Sequence, residues 1–280
     1  MADEDVIEVG DDYGEDGGAE TYRVLTKIGS GKYGQVYKVQ SSADNVNYAM
    51  KVVNVDSDPD AANNEIAILS IVKGEELIVQ MKESFDAETF EGNYKMIVSE
   101  LLYTDLESQL SGGRILSKEN TVKIGYEVVR MLQVMNKFGI FHKDVHAGNI
   151  LFTDQFRSMK LTDFGLSVFA RHNRKMEDKY DYKYDVVMAV HLLMNIRTQF
   201  KLTTYPEKGP MANHRELADV KASLYEHNSL FLRRFIIEVM DQLKGELQYR
   251  KLLEAIGSSY FGFDPSQPFM LNDDVPAQLE

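Results

Sequence analysis

The spacing of apolar residues changes near residue 101, and this change constrains the fold more than any other feature of the chain. Before it, short stretches of β-branched and aromatic residues alternate with turn residues, a pattern typical of antiparallel strands. After it, the spacing is mostly helical. We therefore predict an α+β, bilobal protein whose first lobe has a five-stranded antiparallel sheet and one helix, and whose second lobe is mostly helical. The lobes join at about Glu100–Leu102.

The individual elements follow from the same periodicity. The predicted strands of the first lobe are Tyr22–Ile28, Gln35–Gln40, Asn47–Val55, Ile78–Phe85 and Tyr94–Leu101, with a helix over Asp60–Val72. In the second lobe, Ser117 is a suitable N-cap for a helix ending near Lys137. The other predicted elements there are a hairpin of Asn149–Phe152 with Met159–Leu161, a buried helix over Asp185–Ile196, and helices over Arg215–Tyr225, Ser229–Leu243 and Tyr249–Ile256.

The charge of the chain is concentrated at one end. Of its 44 acidic residues, nine lie in residues 1–20, which contain no lysine or arginine, so the other 260 residues hold 35 acids against 31 bases. A segment rich in acids and glycine buries too little apolar surface to offset its ordering entropy. We predict a disordered leader over residues 1–20, a first lobe over 21–100, a second lobe over 101–262 and a tail over 263–280.

Composition excludes several classes of protein. The chain has no cysteine, which rules out disulfides, zinc–thiolate sites and a cysteine nucleophile. The nearly neutral body offers neither a basic surface for nucleic acid nor a polybasic membrane anchor. No apolar run approaches the eighteen or so residues of a membrane span. We expect a monomer located inside the cell, in the cytoplasm or nucleus, that binds neither nucleic acid nor membrane.

The first motif is a glycine-rich turn between two predicted strands, which comprises Gly29, Ser30, Gly31 and Gly34. Glycines at this spacing allow a hairpin to lie close over phosphate groups and to present backbone N–H donors. The same spacing opens a dinucleotide-binding fold, but a helix should follow there, and here a strand follows. A glycine-rich hairpin without a ligand remains an alternative.

The second motif places Lys51 in the middle of an apolar strand. A buried ammonium is costly unless it is paired, and Glu65 on the next helix could face it. Such a pair would hold phosphate oxygens. The alternative is that Lys51 reaches the surface and that Glu65 is solvated.

Two further motifs carry acidic and amide side chains. Asp144 and Asn149 lie five residues apart in the segment Phe141–Asn149, and Asp163 precedes Phe164-Gly165 at the end of a short strand. Two oxygen ligands near a carboxylate that can accept a proton suit magnesium-assisted phosphoryl transfer.

These four motifs, in this order, resemble those of the protein kinase fold over about Tyr22–Gly257. The segments Ser99–Glu107 and Tyr249–Leu253 are similar to the hinge and last helix of the casein kinase 1 and vaccinia-related kinase branch. The resemblance implies a serine/threonine kinase that uses ATP and Mg²⁺ to phosphorylate a protein.

The resemblance also implies a role for each site residue. Gly29, Ser30, Gly31 and Gly34 would cover the ATP phosphates, and Lys51, held by Glu65, would contact the α and β phosphates. Asp163 would bind one magnesium ion and Asn149 a second, and Asp144 would orient and deprotonate the attacking hydroxyl. The adenine would lie among Val36, Ala49 and Leu151, beside the backbone of Glu100 and Leu102, with Ser99 at the back of the pocket.

The chain departs from the family's pattern at three places. Lys143 replaces an arginine that grips a phosphorylated activation loop and lacks its bidentate fork. His146 replaces a lysine that touches the γ-phosphate, and the loss of one such contact costs on the order of a hundredfold in rate. Asp185, which resembles the aspartate that starts the family's central helix, follows Asp163 by only 22 positions, without an Ala-Pro-Glu segment.

These departures leave three hypotheses open. The first is an active kinase of reduced form with a shortened activation segment. The second is a nucleotide-binding pseudokinase or scaffold that acts by docking to another protein. The third is a small-molecule kinase, since the segment His142–Asn149 also resembles the loop of aminoglycoside and lipopolysaccharide kinases. In each case the acidic leader could occupy a substrate face near the basic residues Arg171, Arg174 and Lys175.

Overall fold

The computed structural model describes residues 5–31, 34–56, 59–89, 92–111, 115–170, 182–198 and 229–270. The chain forms two compact units. The first consists of residues 1–102 with 163–166, and the second of residues 103–162 with 167–280. The predicted α+β, bilobal class is confirmed, and the boundary falls within the predicted Glu100–Leu102 join.

The first unit is an antiparallel sheet with one helix. Its elements are β1 (Asp12–Tyr13), β2 (Tyr22–Gly31), β3 (Gly34–Ser41), β4 (Asn47–Asn54), α1 (Pro59–Ile71), β5 (Met81–Thr89) and β6 (Gly92–Glu100). The strand order is β1-β2-β3-β4-β6-β5, so the sheet has six strands rather than the predicted five. Alternate residues of β3, β4 and β6, including Tyr37, Met50 and Met96, form a buried cluster on one face.

The N-terminal segment corrects the prediction of a disordered leader over residues 1–20. Ile7 is only 2% exposed and belongs to the buried cluster of the sheet. β1 pairs with β2 through Asp12 opposite Arg23 and Tyr13 opposite Tyr22. The Gly10 N–H donates to the Val24 carbonyl, and the Val24 N–H donates to the Asp11 carbonyl. Ile7 thus packs on a face of the sheet, and β1 extends the sheet at its edge.

The second unit is mostly helical, as predicted. Its elements are β7 (Thr104–Asp105), α2 (Leu106–Leu110), α3 (Lys118–Lys137), β8 (Ile140–Phe141), β9 (Ile150–Phe152), β10 (Met159–Leu161), β11 (Val168–Phe169), α4 (Tyr182–Thr198), α5 (Arg233–Gln242) and α6 (Tyr249–Gly257). The β9–β10 hairpin is antiparallel, and β7 extends it on the β9 side.

Helix α3 is the centre of the second unit. The Ser117 hydroxyl accepts a hydrogen bond from the Asn120 N–H, which confirms the predicted N-cap. Helices α4 and α6 pack on α3. A Cβ on Gly125 would lie 2.8 Å from the Leu193 side chain and 3.1 Å from that of Ile256, so glycine allows the three helices to approach closely.

The last described residues, which belong to the predicted tail over 263–280, pack on the second unit. Phe269 is buried and contacts Phe152, with their ring centroids 5.3 Å apart. The Asn120 side chain bonds both the N–H and the carbonyl of Met270. The predicted helix over Arg215–Tyr225 lies outside the described residues. Among those described, no helix is both long and apolar enough to span a bilayer.

Candidate active site

The glycine motif forms the predicted hairpin between β2 and β3. Ser30 lies opposite Gln35, and Gly31 lies opposite Gly34. Gly34 has a φ of +139°, and a Cβ there would lie 2.3 Å from the Val52 carbonyl oxygen, so only glycine fits. At Gly31 a Cβ would meet no atom within 4 Å. The fold itself therefore demands glycine at position 34 and not at position 31.

Lys51 lies between two carboxylates of the first unit. Its Nζ is 2.7 Å from Glu65 Oε2 on α1 and 2.8 Å from Asp163 Oδ1. The side chains of Lys51 and Glu65 are 15% and 6% exposed. The structure therefore brings Lys51 and Glu65 together as predicted, and it adds Asp163, which sequence reasoning assigned to a metal alone.

The two neighbouring carboxylates keep the Lys51 side chain protonated. Burial acts to lower the pKa of the Lys51 ammonium, but the carboxylates of Glu65 and Asp163 outweigh it and raise that pKa above its usual value. Burial also raises the pKa of the Glu65 carboxyl, against the opposing effect of the Lys51 charge. The two carboxylates hold the Lys51 ammonium in a fixed position, from which it could donate a hydrogen bond to an anionic ligand.

Asp163 is held in an uncommon backbone conformation. Its φ is +60°, in the left-handed region that is uncommon for residues other than glycine and is adopted mostly by asparagine, aspartate and histidine among them. The Gly165 N–H donates to Asp163 Oδ1 at 3.3 Å, and the Phe164 N–H reaches Glu65 Oε1 at 3.5 Å. Backbone strain of this kind concentrates at functional sites.

Of the residues predicted around the adenine, Val36, Ala49 and Ser99 belong to strands of the first unit. These three lie on one face of its sheet. Val36 is opposite Lys51, and Ala49 is opposite Ser99. Because directly opposed residues share a face and Ala49 is two residues from Lys51, all four side chains lie on the face opposite the buried cluster.

In the segment Ser99–Glu107, which resembles the hinge of related kinases, the Glu100 N–H already donates a hydrogen bond within the chain. The Glu100 N–H donates to the Gln80 carbonyl, and the Glu100 carboxylate accepts from the Gln80 N–H. Leu102 ends the first unit and is partly buried, as is Leu151 on β9 of the second. A ligand could therefore not use the Glu100 N–H without breaking an existing bond.

Asp144 lies in a loop of the second unit between β8 and a 3₁₀ turn over Ala147–Asn149. The Asn149 amide nitrogen donates to the Asp144 carbonyl at 2.9 Å and reaches its Oδ2 at 3.3 Å. This orientation leaves the amide oxygen of Asn149 as the atom able to bind a cation. The predicted pair of Asp144 and Asn149 is thus in contact.

His146 contacts Asp144 and caps the following turn. Its Nδ1 accepts the Gly148 N–H at 3.1 Å, so in the neutral ring the proton is on Nε2, which lies 3.5 Å from Asp144 Oδ2. The resemblance places His146 where related kinases have a lysine that contacts the γ-phosphate, and it predicts the loss of that contact. Within its own unit, His146 contacts the Asp144 carboxylate and the Gly148 N–H.

Asp185 holds the loop that carries Asp144. Its carboxylate is buried and accepts the N–H groups of His142 and Lys143, each at 2.8 Å. Lys143 has a φ of +69°, and the His142 ring bonds the Asp144 N–H on one side and the Thr162 carbonyl on the other. From the sequence, Asp185 is predicted only as the start of a helix, and its role as a hydrogen-bond acceptor is missed. The signal that could have indicated this role is a single aspartate at the N-terminus of a helix that is otherwise apolar.

The basic residues Arg171, Arg174 and Lys175 lie outside the described residues, as do Lys32 and Tyr33 of the glycine hairpin. The proposed contact between the leader and the basic loop therefore stays a prediction. Within the described part of the chain, no cluster of three histidine, aspartate or glutamate side chains could hold a metal by itself.

Comparison with known proteins agrees with this geometry. The profile described as "Protein kinase domain" matches residues 22–187, which is more than half of the chain. The chain therefore belongs to the protein kinase family. The match includes the glycine hairpin, the Lys51 cluster, the Asp144 loop and Asp185.

Individual relatives are eukaryotic kinases of modest identity. A probable cell division protein kinase of Encephalitozoon cuniculi is 31% identical over 151 residues, which cover 53% of this chain and 47% of that protein. Cyclin-dependent kinase 12 of Drosophila melanogaster is 29% identical over 159 residues, 53% of this chain and 14% of that protein. The ovarian-specific serine/threonine-protein kinase Lok of the same fly is 27% identical over 170 residues, 56% of this chain and 35% of that protein. The chain thus matches half or less of the length of each.

Proposed function

We propose that the chain transfers the γ-phosphoryl group of ATP to a serine or threonine hydroxyl of a protein substrate, as a minimal kinase with a shortened activation segment. The observation that carries the proposal is the buried Lys51 ammonium held between Glu65 and Asp163. An ammonium held in place in this way is already positioned when phosphate oxygens arrive. The membership of the casein kinase 1 and vaccinia-related kinase branch remains a prediction.

The first unit supplies the phosphate-binding part of the reaction. The backbone of Gly29, Ser30, Gly31 and Gly34 covers the phosphates, and Lys51 contacts their oxygens. The room for a Cβ at Gly31 supports this role, because packing against the described residues does not explain a glycine there. Val36, Ala49 and Ser99 form an uncharged surface beside Lys51 that suits a purine ring.

The second unit supplies proton transfer and orientation. Asp144 accepts the proton of the attacking hydroxyl, and Asn149 and His146 hold its carboxylate in place. The strained Lys143 backbone, fixed by Asp185, sets the position of Asp144. His146 therefore orients the base and does not replace the charge of a lysine on the γ-phosphate.

Magnesium fits the donors that the chain presents. Asp163 offers a partly exposed carboxylate and Asn149 an amide oxygen, both hard ligands of the kind that Mg²⁺ prefers. When bound, the ion neutralises charge on the triphosphate. Each of the two residues would hold its own ion, because Mg²⁺ normally binds few protein ligands and completes its shell with water and phosphate oxygens.

A transfer assay with labelled ATP tests the proposal. Purified wild type is incubated with Mg²⁺, labelled ATP and an acidic or a basic acceptor protein, beside Asp144→Asn. Loss of the general base should lower the rate by about 10²- to 10⁴-fold. Asp241→Asn, an exposed aspartate on α5, is the matched control and should keep the wild-type rate.

The assay also separates the competing functions. Stabilisation of the wild type by ATP without transfer to any acceptor would contradict the proposal and favour a pseudokinase or scaffold. Transfer to an aminoglycoside, sugar or lipid, but not to protein, would favour a small-molecule kinase. Transfer that persists in Asp144→Asn would refute the assignment of the base.

A further inference from the structure

Residues 5–13, here called the N-terminal clip, contact both strands of the glycine hairpin. The Val6 N–H donates to the side-chain oxygen of Gln35 on β3 at 3.0 Å. The Asp5 carboxylate pairs with Lys27 on β2 at 2.9 Å. Ile7, between these contacts and β1, is buried in the cluster of the sheet. Two successive residues thus reach the two strands that the hairpin joins.

Gln35 links the clip to the glycines. It follows Gly34 directly, and it lies opposite Ser30 on one side and Val52 on the other. Gly34 itself is packed against the Val52 carbonyl with no room for a Cβ. A displacement of Gln35 would therefore also move Gly34 and the hairpin, because Gly34 is packed closely against the Val52 backbone and cannot absorb the shift.

The Gln35 side chain depends on its partners for its position. It is 7% exposed, and its oxygen accepts from both the Val6 N–H and the Tyr37 hydroxyl. A buried amide oxygen that loses a donor forfeits a hydrogen bond that water cannot easily replace. The Val6 N–H therefore helps to fix the conformation of Gln35.

The β2 strand has irregular pairing near the hairpin. Its register with β3 shifts between Val24 and Thr26 and again between Lys27 and Gly29. Irregularities of this kind disrupt the ladder locally and bend the strand. The clip bonds β2 at these places, with Gly10 and Asp11 bonded to Val24 and Asp5 to Lys27.

We propose that the N-terminal clip positions the glycine hairpin for nucleotide binding. Val6 acts through Gln35, and Asp5 acts through Lys27, so both are positioning residues that touch no substrate. The proposal rests on the proposed function, in that the hairpin is taken to bind the ATP phosphates. It assigns the acidic N-terminal segment a part in ATP affinity, in place of a free leader.

Two variants of the full chain break the same hydrogen bond from opposite sides. Val6→Pro removes the donor N–H, and Gln35→Met removes the acceptor while keeping an unbranched side chain. Each should raise the KM for ATP about three- to tenfold, the usual worth of one hydrogen bond, and change kcat by less than about twofold. The conservative variant Val6→Ala keeps the N–H and should keep the wild-type KM.

Hydrogen exchange and a double variant distinguish positioning from simple loss of stability. Without nucleotide, amides of residues 29–37 should exchange faster in Val6→Pro and Gln35→Met than in Val6→Ala. The double variant should be no worse than Gln35→Met alone, because Gln35→Met already removes the bond that Val6→Pro breaks, together with the one from the Tyr37 hydroxyl. Unchanged exchange and KM in both folded variants, or effects that add in the double variant, would overturn the proposal.

The same experiments separate this inference from the proposed function. A wild type that neither binds nor hydrolyses ATP would refute the proposed function, and the proposed role of the clip in ATP affinity with it. Exchange at the hairpin would then still report whether the clip holds it. A wild type that binds ATP with variants that bind equally well would refute the clip alone.

Discussion

Lys51 shows how one buried charge organises its surroundings. An ammonium in the middle of an apolar strand is tolerated only because Glu65 and Asp163 lie within 2.8 Å of it. The motif around Lys51 predicted a carboxylate partner but not a second one, because Asp163 is 112 residues away in sequence. Its contact with Lys51 depends on how residues 163–166 join the first unit.

Removal of Lys51 should therefore affect function and stability together. In Lys51→Met, transfer from ATP should fall at least about a hundredfold. The free energy of unfolding at pH 7 should fall by about 1–3 kcal/mol, because Glu65 is left buried without its partner. That loss should shrink toward pH 5, since an isolated buried carboxyl has a raised pKa and takes up a proton.

The double variant Lys51→Met/Glu65→Gln is the control for this prediction. It removes both charges, so it should recover most of the stability in urea unfolding while phosphoryl transfer stays lost. A double variant as unstable as the single one would contradict the charge explanation.

Asp185 is a second residue whose role is visible only in the structure. Its carboxylate accepts two backbone N–H groups of the loop that precedes Asp144. Asp185→Ala should lower the free energy of unfolding by about 2–4 kcal/mol, because two buried donors lose their acceptor. It should also lower kcat, since Asp144 is no longer held. Asp185→Asn keeps one acceptor oxygen and should lose less of both in parallel urea-unfolding and transfer measurements. Equal losses in the two variants would contradict this reading.

At the scale of elements, the strongly periodic segments were predicted well and the short or composition-biased ones were not. The helix from Ser117 was predicted from its cap and its apolar face, and both are present. Strands β7, β8 and β11 have two residues each and carry no detectable periodicity. The N-terminal segment was misjudged because its average composition hid single apolar residues that pack.

Ile7 should account for much of the stability that this segment contributes. Ile7→Ala should lower the free energy of unfolding of the first unit by about 2–4 kcal/mol, because it leaves a cavity in the sheet's cluster. Val9→Ala, two residues away and 62% exposed in the wild type, should change it by less than about 0.5 kcal/mol. Thermal or urea unfolding of both variants checks this difference, and equal effects would show that the segment is not packed as described.

At the scale of the whole molecule, stability should depend on pH through a histidine that takes no part in the proposed chemistry. His191 lies in α4 and is 6% exposed, and among the described residues its Nε2 has no hydrogen-bond partner. Burial lowers the pKa of His191 to about 4, against 6.5 in the unfolded chain. The unfolded state therefore binds a proton between these values that the folded state does not.

Stability should accordingly fall as the pH is lowered from about 6.5 to about 4. His191 alone contributes up to about 1.4 kcal/mol per pH unit in this range. In His191→Leu the free energy of unfolding should fall less steeply with decreasing pH than in the wild type. The variant should therefore become more stable relative to the wild type as the pH is lowered. Urea unfolding at several pH values measures both slopes, and parallel slopes would show that His191 does not titrate in this way.

The sequence by itself determined the two-part α+β architecture, the order of the motifs and membership of a family that transfers phosphate. These depend on local periodicity and on residue types at short spacing, which a linear pattern retains. Only the tertiary structure decided that Asp163 joins Lys51, that Asp185 holds the Asp144 loop and that residues 5–13 complete the sheet. Each of these contacts joins residues distant in the chain, and its free energy comes from burial and hydrogen bonding that arise only when the chain has folded.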